Sequence, residues 1–167
     1  PQGWRPVGLI AAGMRVATWD GGFAEVAGVA RRSVWPGVGT AMIEVPGGAI
    51  GNCEALKLAP DQQVLLDTDV AEAVLGDRAV LVAARHLVGY RGIACRRLAE
   101  PVTVVSLAFA EEEAVFVSTG ALIGFGKAAD GAAGEGFFSR LTGGQARALI
   151  ELLQDDTAGG AIWHAAA

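Results

Sequence analysis

The sequence predicts an all-β fold closed by one C-terminal helix. Short apolar runs rich in Val, Ile and Ala recur along the chain, each bounded by Gly, Pro or acidic residues. Several runs face one another across turn chemistry that suits a hairpin, as at Asp20-Gly21-Gly22. Only after residue 142 does the apolar spacing change to the helical i, i+3, i+4, i+7.

In chain order, Pro1 to Val7 is a lead bearing Trp4, and Gly13 marks a turn before a half-buried strand at Arg15 to Thr18. The Asp20-Gly21-Gly22 turn needs φ > 0, which glycine supplies without a Cβ clash. Phe23 to Ala30 is the return strand, with Gly28 at a bulge or bend. Ser33 to Thr40 is a Pro/Gly loop, and Ala41 to Val45 a strand ending at Pro46. Pro46 removes a backbone donor and the glycines after it allow left-handed turns, so Pro46 to Gly51 reads as a sheet corner. Two strands follow, in the stretch Leu58 to Leu66 with its Pro60 turn and in Val80 to Gly89, joined by an acidic turn region from Asp67 to Asp77. Gly89 to Ile93 is a turn, and Pro101 breaks the chain. Val102 to Phe109 is a strand rich in β-branched residues, and Ala114 to Val117 returns from the acidic turn Glu111-Glu112-Glu113. A Gly-rich connection runs from 124 to 141. Thr142 and Gln145 then form a capping box for a helix over about 143–154, with Ala146, Leu149, Ile150 and Leu153 on one face. Asp155-Asp156 oppose the helix dipole, which predicts fraying. His164, after Trp163, reads as a surface residue.

Composition bounds the function. A chain of 167 residues, 52% hydrophobic, fits a single domain over 1–167 that buries roughly 70% of its unfolded surface. A net charge of -5 argues against nucleic acid, and Arg31-Arg32 and Arg96-Arg97 are short enough to be solvated strand ends. Mean hydropathy is +0.40, yet no apolar run approaches the roughly 20 residues that span a bilayer. No signal peptide is evident, and the chain opens on Pro1-Gln2-Gly3, so the native N-terminus is expected upstream or removed. Cys53 and Cys95 lack CxxC or metal-ligand spacing and are expected to be free, buried thiols; their neighbours Ile50 and Ile93 suggest apolar surroundings. Cys53 and His86 are the residue types of a thiol nucleophile and its base, but no local signature joins them. Glu111 to Glu113 are the residue types of a metal site or a general acid/base, while like charges so close favour a solvated hairpin tip. The phosphate-loop pattern fails at Ala121 and Ala128. No cofactor and no metal are implied.

Four stretches taken in series, Gly3 to Gly22, Pro46 to Gly51, Leu58 to Leu66 and Val80 to Gly89, resemble the motifs of the Hint (hedgehog/intein) superfamily, in particular its bacterial branch. Gly3 to Gly22 is similar to the family opening Gly-x-x-Pro-Val-x-x-Leu-x-x-Gly-Asp-x-Val-x-Thr-x-Asp-x-Gly, with Met14 where that pattern has Asp. Pro46 to Gly51 resembles the segment that precedes the family's His strand. Leu58 to Leu66 matches a strand written Ser/Thr-Pro-x-His-x-Val-Leu, and Val80 to Gly89 matches Val-x-Ala-x-x-Leu-Val-Gly. The resemblance runs from about Gly3 to Phe125. At the chemistry-bearing positions it fails. Ala59 stands for the Ser/Thr and Gln62 for the His. A second family His falls on Glu112 or Glu113, an Asn on Ser118 or Thr119, and the terminal His-Asn of splicing inteins on Gly124-Phe125.

The resemblance implies bent β-hairpins with pseudo-twofold symmetry and, in active members, an acyl shift of the chain's own backbone. That reaction needs a nucleophile, which in the family begins the domain about a dozen residues upstream of Gly3. It also needs a His to protonate the leaving amide nitrogen and a donor to polarise the carbonyl. Each part is absent or of another kind here, which implies a degenerate centre. The expected role is a binding or structural module of a larger or secreted bacterial protein, cytoplasmic or exported. Its partners would be flanking polypeptide of the same chain or another protein. The alternative is a self-cleaving domain whose nucleophile lies upstream of Pro1.

Overall fold

The computed structural model describes residues 3–127 and 136–159, with side chains as far as Asp155 in the last helix. β1 (Arg15–Ala17) and β2 (Phe23–Glu25) pair antiparallel around the glycine turn. Gly21 takes φ 80°, and the Asp20 carboxylate accepts from the Thr18 hydroxyl at 2.6 Å and the Gly22 amide at 3.0 Å. The expected return strand over 23–30 is two strands. At Val26 and Ala27 the chain leaves β1 for a new partner, with the Val26 amide bonded to Met14 and the Ala27 amide to Ala108. Gly28 therefore opens β3 (Gly28–Val34), which pairs with β9 (Val102–Ala108) along its whole length.

β4 (Ala41–Val45) lies between β5 (Leu56–Leu58) and β8 (Ala94–Arg97). The main sheet holds β10 (Glu113–Val117), β11 (Ala121–Phe125), β6 (Gln63–Asp67), β7 (Ala79–Ala83) and β12 (Ser139–Arg140), in that order. Its edges curl toward each other. Glu112, just before β10, accepts from the Phe138 amide at 3.1 Å and pairs with Arg140 of β12.

β6 is apolar on both faces because both are covered. Val64 and Leu66 join a core with Ile43, Val45, Val80, Val82 and Ile123, while Leu65 faces Leu81, Ala114, Leu122 and Phe138. The first core is capped by α1 (Asp69–Leu75) through Ala71 and by α2 (Gly143–Gly159) through Ala146, Leu149, Ile150 and Leu153. α2 begins as its capping box dictates, with the Thr142 amide on Gln145 Oε1 at 3.0 Å. No helix among the described residues is long and apolar enough to cross a membrane.

Further sequence expectations are corrected. Val102 to Phe109 and Ala114 to Val117 are not partners across the acidic turn, since β9 pairs with β3 and β10 with β11. The acidic connection 67–77 contains α1, whose ends are set by caps: Thr68 Oγ1 accepts from the Val70 amide, and Gly76 closes it at φ 80°. At seven residues it is too short to display a helical period. The run Val80 to Gly89 ends as a strand at Ala83 and continues as a 3₁₀ turn over Ala84–Leu87. The connection expected from 124 starts inside β11 and ends with β12, since Gly124 and Ser139 both find partners in the sheet. Residues 128–135 of it, Trp163 and His164 lie outside the described residues, as do the side chains that bear on fraying beyond Asp155.

Candidate active site

Gln62 stands at the foot of β6. Its amide donates to Ala59 O at 3.0 Å, closing the Pro60 turn, and its carbonyl accepts from Ala84 at 2.8 Å. β11 pairs with β6 as Gly124 to Gln63 and Ile123 to Val64. One further step of that register sets Gln62 beside Phe125, which is itself opposite Glu113 on β10. The Gln62 side chain then donates from Nε2 to Gly124 O at 2.9 Å and, more weakly, to Gln63 O at 3.4 Å. Three positions far apart in the chain form one row: Gln62, Gly124-Phe125 and Glu113. Only β6–β11–β10 pairing creates it.

Along the row the charge is negative. Burial pushes the Glu113 carboxyl above its ordinary range, and the neighbouring Asp20 and Glu111 push it the same way. Asp20 is held below its own ordinary value, chiefly by the Thr18 hydroxyl and then by the Gly22 amide. Glu112 is excluded from the row. Its carboxylate is 9% exposed and is engaged by Arg140 and the Phe138 amide, and a Cβ on Gly136 would collide with it.

Ser118 and Thr119 lie at the opposite end of the β10–β11 hairpin. Four residues of β10, Ala114 to Val117, separate Ser118 from Glu113, a span of roughly 17 Å of extended chain. Ser118 and Thr119 are both in the left-handed region, at φ 46° and 72°. They sit against Cys53, not against Gln62. The Cys53 amide donates to Ser118 O at 3.0 Å, the Glu54 amide to Ser118 Oγ at 3.0 Å, and Cys53 Sγ lies 3.6 Å from Ser118 Oγ. The Thr119 hydroxyl first, and the Ser118 hydroxyl second, hold the thiol below its ordinary pKa against the opposing effects of burial and Glu54. Sequence reasoning missed this cluster; its one signal was a hairpin turn with two non-glycine residues before Gly120.

Both cysteines are free, as expected, but both are exposed. Cys95 is on β8, an edge strand of the three-stranded sheet, and Cys53 is in the loop after the Pro46 corner. Apolar neighbours in sequence do not set burial when the strand lacks a cover. Cys53 and His86 keep different company: His86 abuts the start of α2, where a Cβ on Gly143 would lie 3.0 Å from its Cε1. Among the described residues no group of three or more His, Cys, Asp or Glu is set to hold a metal ion.

The Hint domain family model matches residues 1–123 of this chain. The chain belongs to the Hint domain family. Comparison with curated proteins and with solved structures returns no significant match. Strands gathered in several sheets with one C-terminal helix are the architecture of this Hint domain. Within it, the Gln62 side chain supplies a hydrogen-bond donor with no proton that titrates near neutrality, and Ala59 supplies no side-chain donor at all. Of the two carboxylates at the family positions, Glu112 and Glu113, only Glu113 stands in the row with Gln62.

Proposed function

We propose that this is a bacterial Hint domain, one domain over residues 1–167, that has lost self-cleavage and acts as a binding or structural module of a larger or secreted protein. The observation that carries the reading is the Gln62 amide bonded to Gly124 O at 2.9 Å. Where the family pattern has a His that moves a proton, this side chain makes a static contact between two strands. Ala59 beside it offers no group to polarise a carbonyl, and Glu112 is engaged by Arg140 and Phe138. Sharing of Phe125 between two of the hydrophobic clusters supports a single cooperative unit.

A second reading keeps autoprocessing, with the nucleophile upstream of Pro1. What favours it is Glu113, whose raised pKa lets the carboxyl retain a proton longer than an ordinary glutamate. One experiment separates the two. A reporter protein is joined through a Cys-bearing, family-like lead to Gly3, and release is followed with and without a strong thiol or hydroxylamine. No thiol-dependent release is expected, because removing one proton donor alone costs about 10²–10⁴ in rate. Adding Gln62→His and Ala59→Thr is expected to restore slow cleavage. Prompt release with Gln62 unchanged, abolished by Glu113→Gln, would establish the second reading instead.

A further inference from the structure

On the far side of the main sheet from Gln62, a cleft of about 270 Å³ opens between Trp19, the start of β7 and the segment leading into β12. Three aromatic rings run along it. Trp19 and Phe138 meet edge-on with centroids 5.7 Å apart, and Phe138 and Phe137 do so at 5.0 Å. The inner rings belong to the core, but Phe137 is 80% exposed. The remaining wall is polar: Asp77, Arg78 and Ser139.

What this wall offers a ligand follows from which of its groups are already engaged. The indole N–H of Trp19 donates to Asp67 Oδ2 at 2.9 Å. The Arg78 guanidinium is held by Asp67 and Asp69, with Glu72 at 3.9 Å, and these carboxylates raise its pKa further. The Ser139 hydroxyl donates to Asp77 Oδ2. The indole and hydroxyl donors of the cleft therefore point at carboxylates, and Nε and Nη1 of Arg78 do so as well. Acceptors are in excess, since three carboxylates surround the one guanidinium and Asp77 adds a fourth at the cleft, its second oxygen taking no hydrogen bond from the described residues. Aromatic faces beside surplus negative charge attract cations.

We infer that this cleft receives a cationic side chain, a lysine or arginine presented by a basic partner peptide. The volume suits one side chain rather than a folded element. A peptide suits the neighbouring backbone as well. Among the described residues β12 is the sheet's outer strand, and the Leu141 amide bonds inward to Leu81. By strand alternation the main-chain groups of Arg140 face outward, where an extended segment can lie alongside. The net charge of -5 favours approach of a basic partner. None of the cleft residues belongs to the Gln62 row, so the inference holds whether or not the domain cleaves itself.

The test follows the Trp19 indole N–H resonance, assigned through its contact with Phe138, while short Gly-Lys-Gly and Gly-Arg-Gly peptides with blocked ends are titrated in. Twins carrying Nε-acetyl-lysine or Glu are run beside them. Saturable shifts with a Kd on the order of 1 mM are expected for the two basic peptides and not for the twins. Asp77→Asn and Phe137→Ala, both at exposed positions, should each weaken binding about tenfold while the rest of the spectrum stays folded. Equal shifts from the acetylated twin, tighter binding of the acidic one, or no saturable shift from either basic peptide would overturn the inference.

Discussion

Among the described residues Thr119 is the one β-branched residue held at positive φ. A β-branched side chain at φ 72° costs on the order of 1 kcal/mol, and Ser118 beside it is also left-handed. The turn sets Ser118 Oγ 3.6 Å from Cys53 Sγ. The two hydroxyls lower the thiol pKa, Thr119 more than Ser118, although the Thr119 hydroxyl also donates to Ser118 O at 2.6 Å. Thr119→Gly removes the larger of those two influences and suits the backbone at once. The pH midpoint of Cys53 alkylation by iodoacetamide should move upward in this variant, with Cys95 in the same sample as the exposed reference. An unchanged midpoint would show that Thr119 does not control the thiol. This cluster was not legible beforehand, because residues 53 and 118 meet only once the Pro46 corner is laid on the β10–β11 hairpin.

At the scale of elements, that corner and that hairpin are locked by their backbones. A Cβ on Gly120 would fall well inside van der Waals contact distance of the Gly51 carbonyl oxygen, and one on Gly51 would lie 3.3 Å from Gly120. Asn52, buried between them, donates to Pro46 O at 2.9 Å and to Glu54 O at 2.7 Å and accepts from the Ile50 amide at 3.1 Å. Main chain cannot swing aside as a flexible side chain does. Gly120→Ala should therefore cost about 2–3 kcal/mol. Gly8→Ala, with nothing within 4 Å of the new atom, should change stability by less than about 0.5 kcal/mol. Thermal melting of both variants beside the parent checks this. Equal midpoints would mean that the two loops separate at little cost.

For the molecule as a whole, Glu113 and Asp20 bend the pH dependence of stability in opposite senses. The folded pKa of Glu113 lies above its ordinary 4.5, so the native state holds a proton that the unfolded chain has released. Stability then falls as pH rises from about 4.5 through the folded value, and stays lowered above it. Asp20 is depressed from 3.8, so its contribution is present above that value and is lost as pH falls through the folded one. Glu113→Gln should have a higher urea midpoint than the parent at about pH 7 and nearly the same midpoint at about pH 4. A gain of equal size at both pH values would refute the assignment of this pH dependence to Glu113.

Local chemistry was readable from the sequence by itself. The Asp20-Gly21-Gly22 turn, the Pro46 corner, the Thr142 capping box and the apolar face of α2 each depend on residues within one turn or one strand of each other. Their order also carried the family resemblance, and with it the substitutions at Ala59 and Gln62. What the tertiary structure alone decided was which strands meet. That choice put Gln62 on Gly124, opposed Glu113 to Phe125, sent Glu112 to Arg140, and moved Ser118 and Thr119 to the other end of the hairpin beside Cys53. It also left Cys95 on an uncovered edge and made a short capped helix of the acidic connection. The physical reason is the same each time: a strand's own residues specify which of them alternate, but a partner distant in the chain determines which face is buried and what each side chain touches.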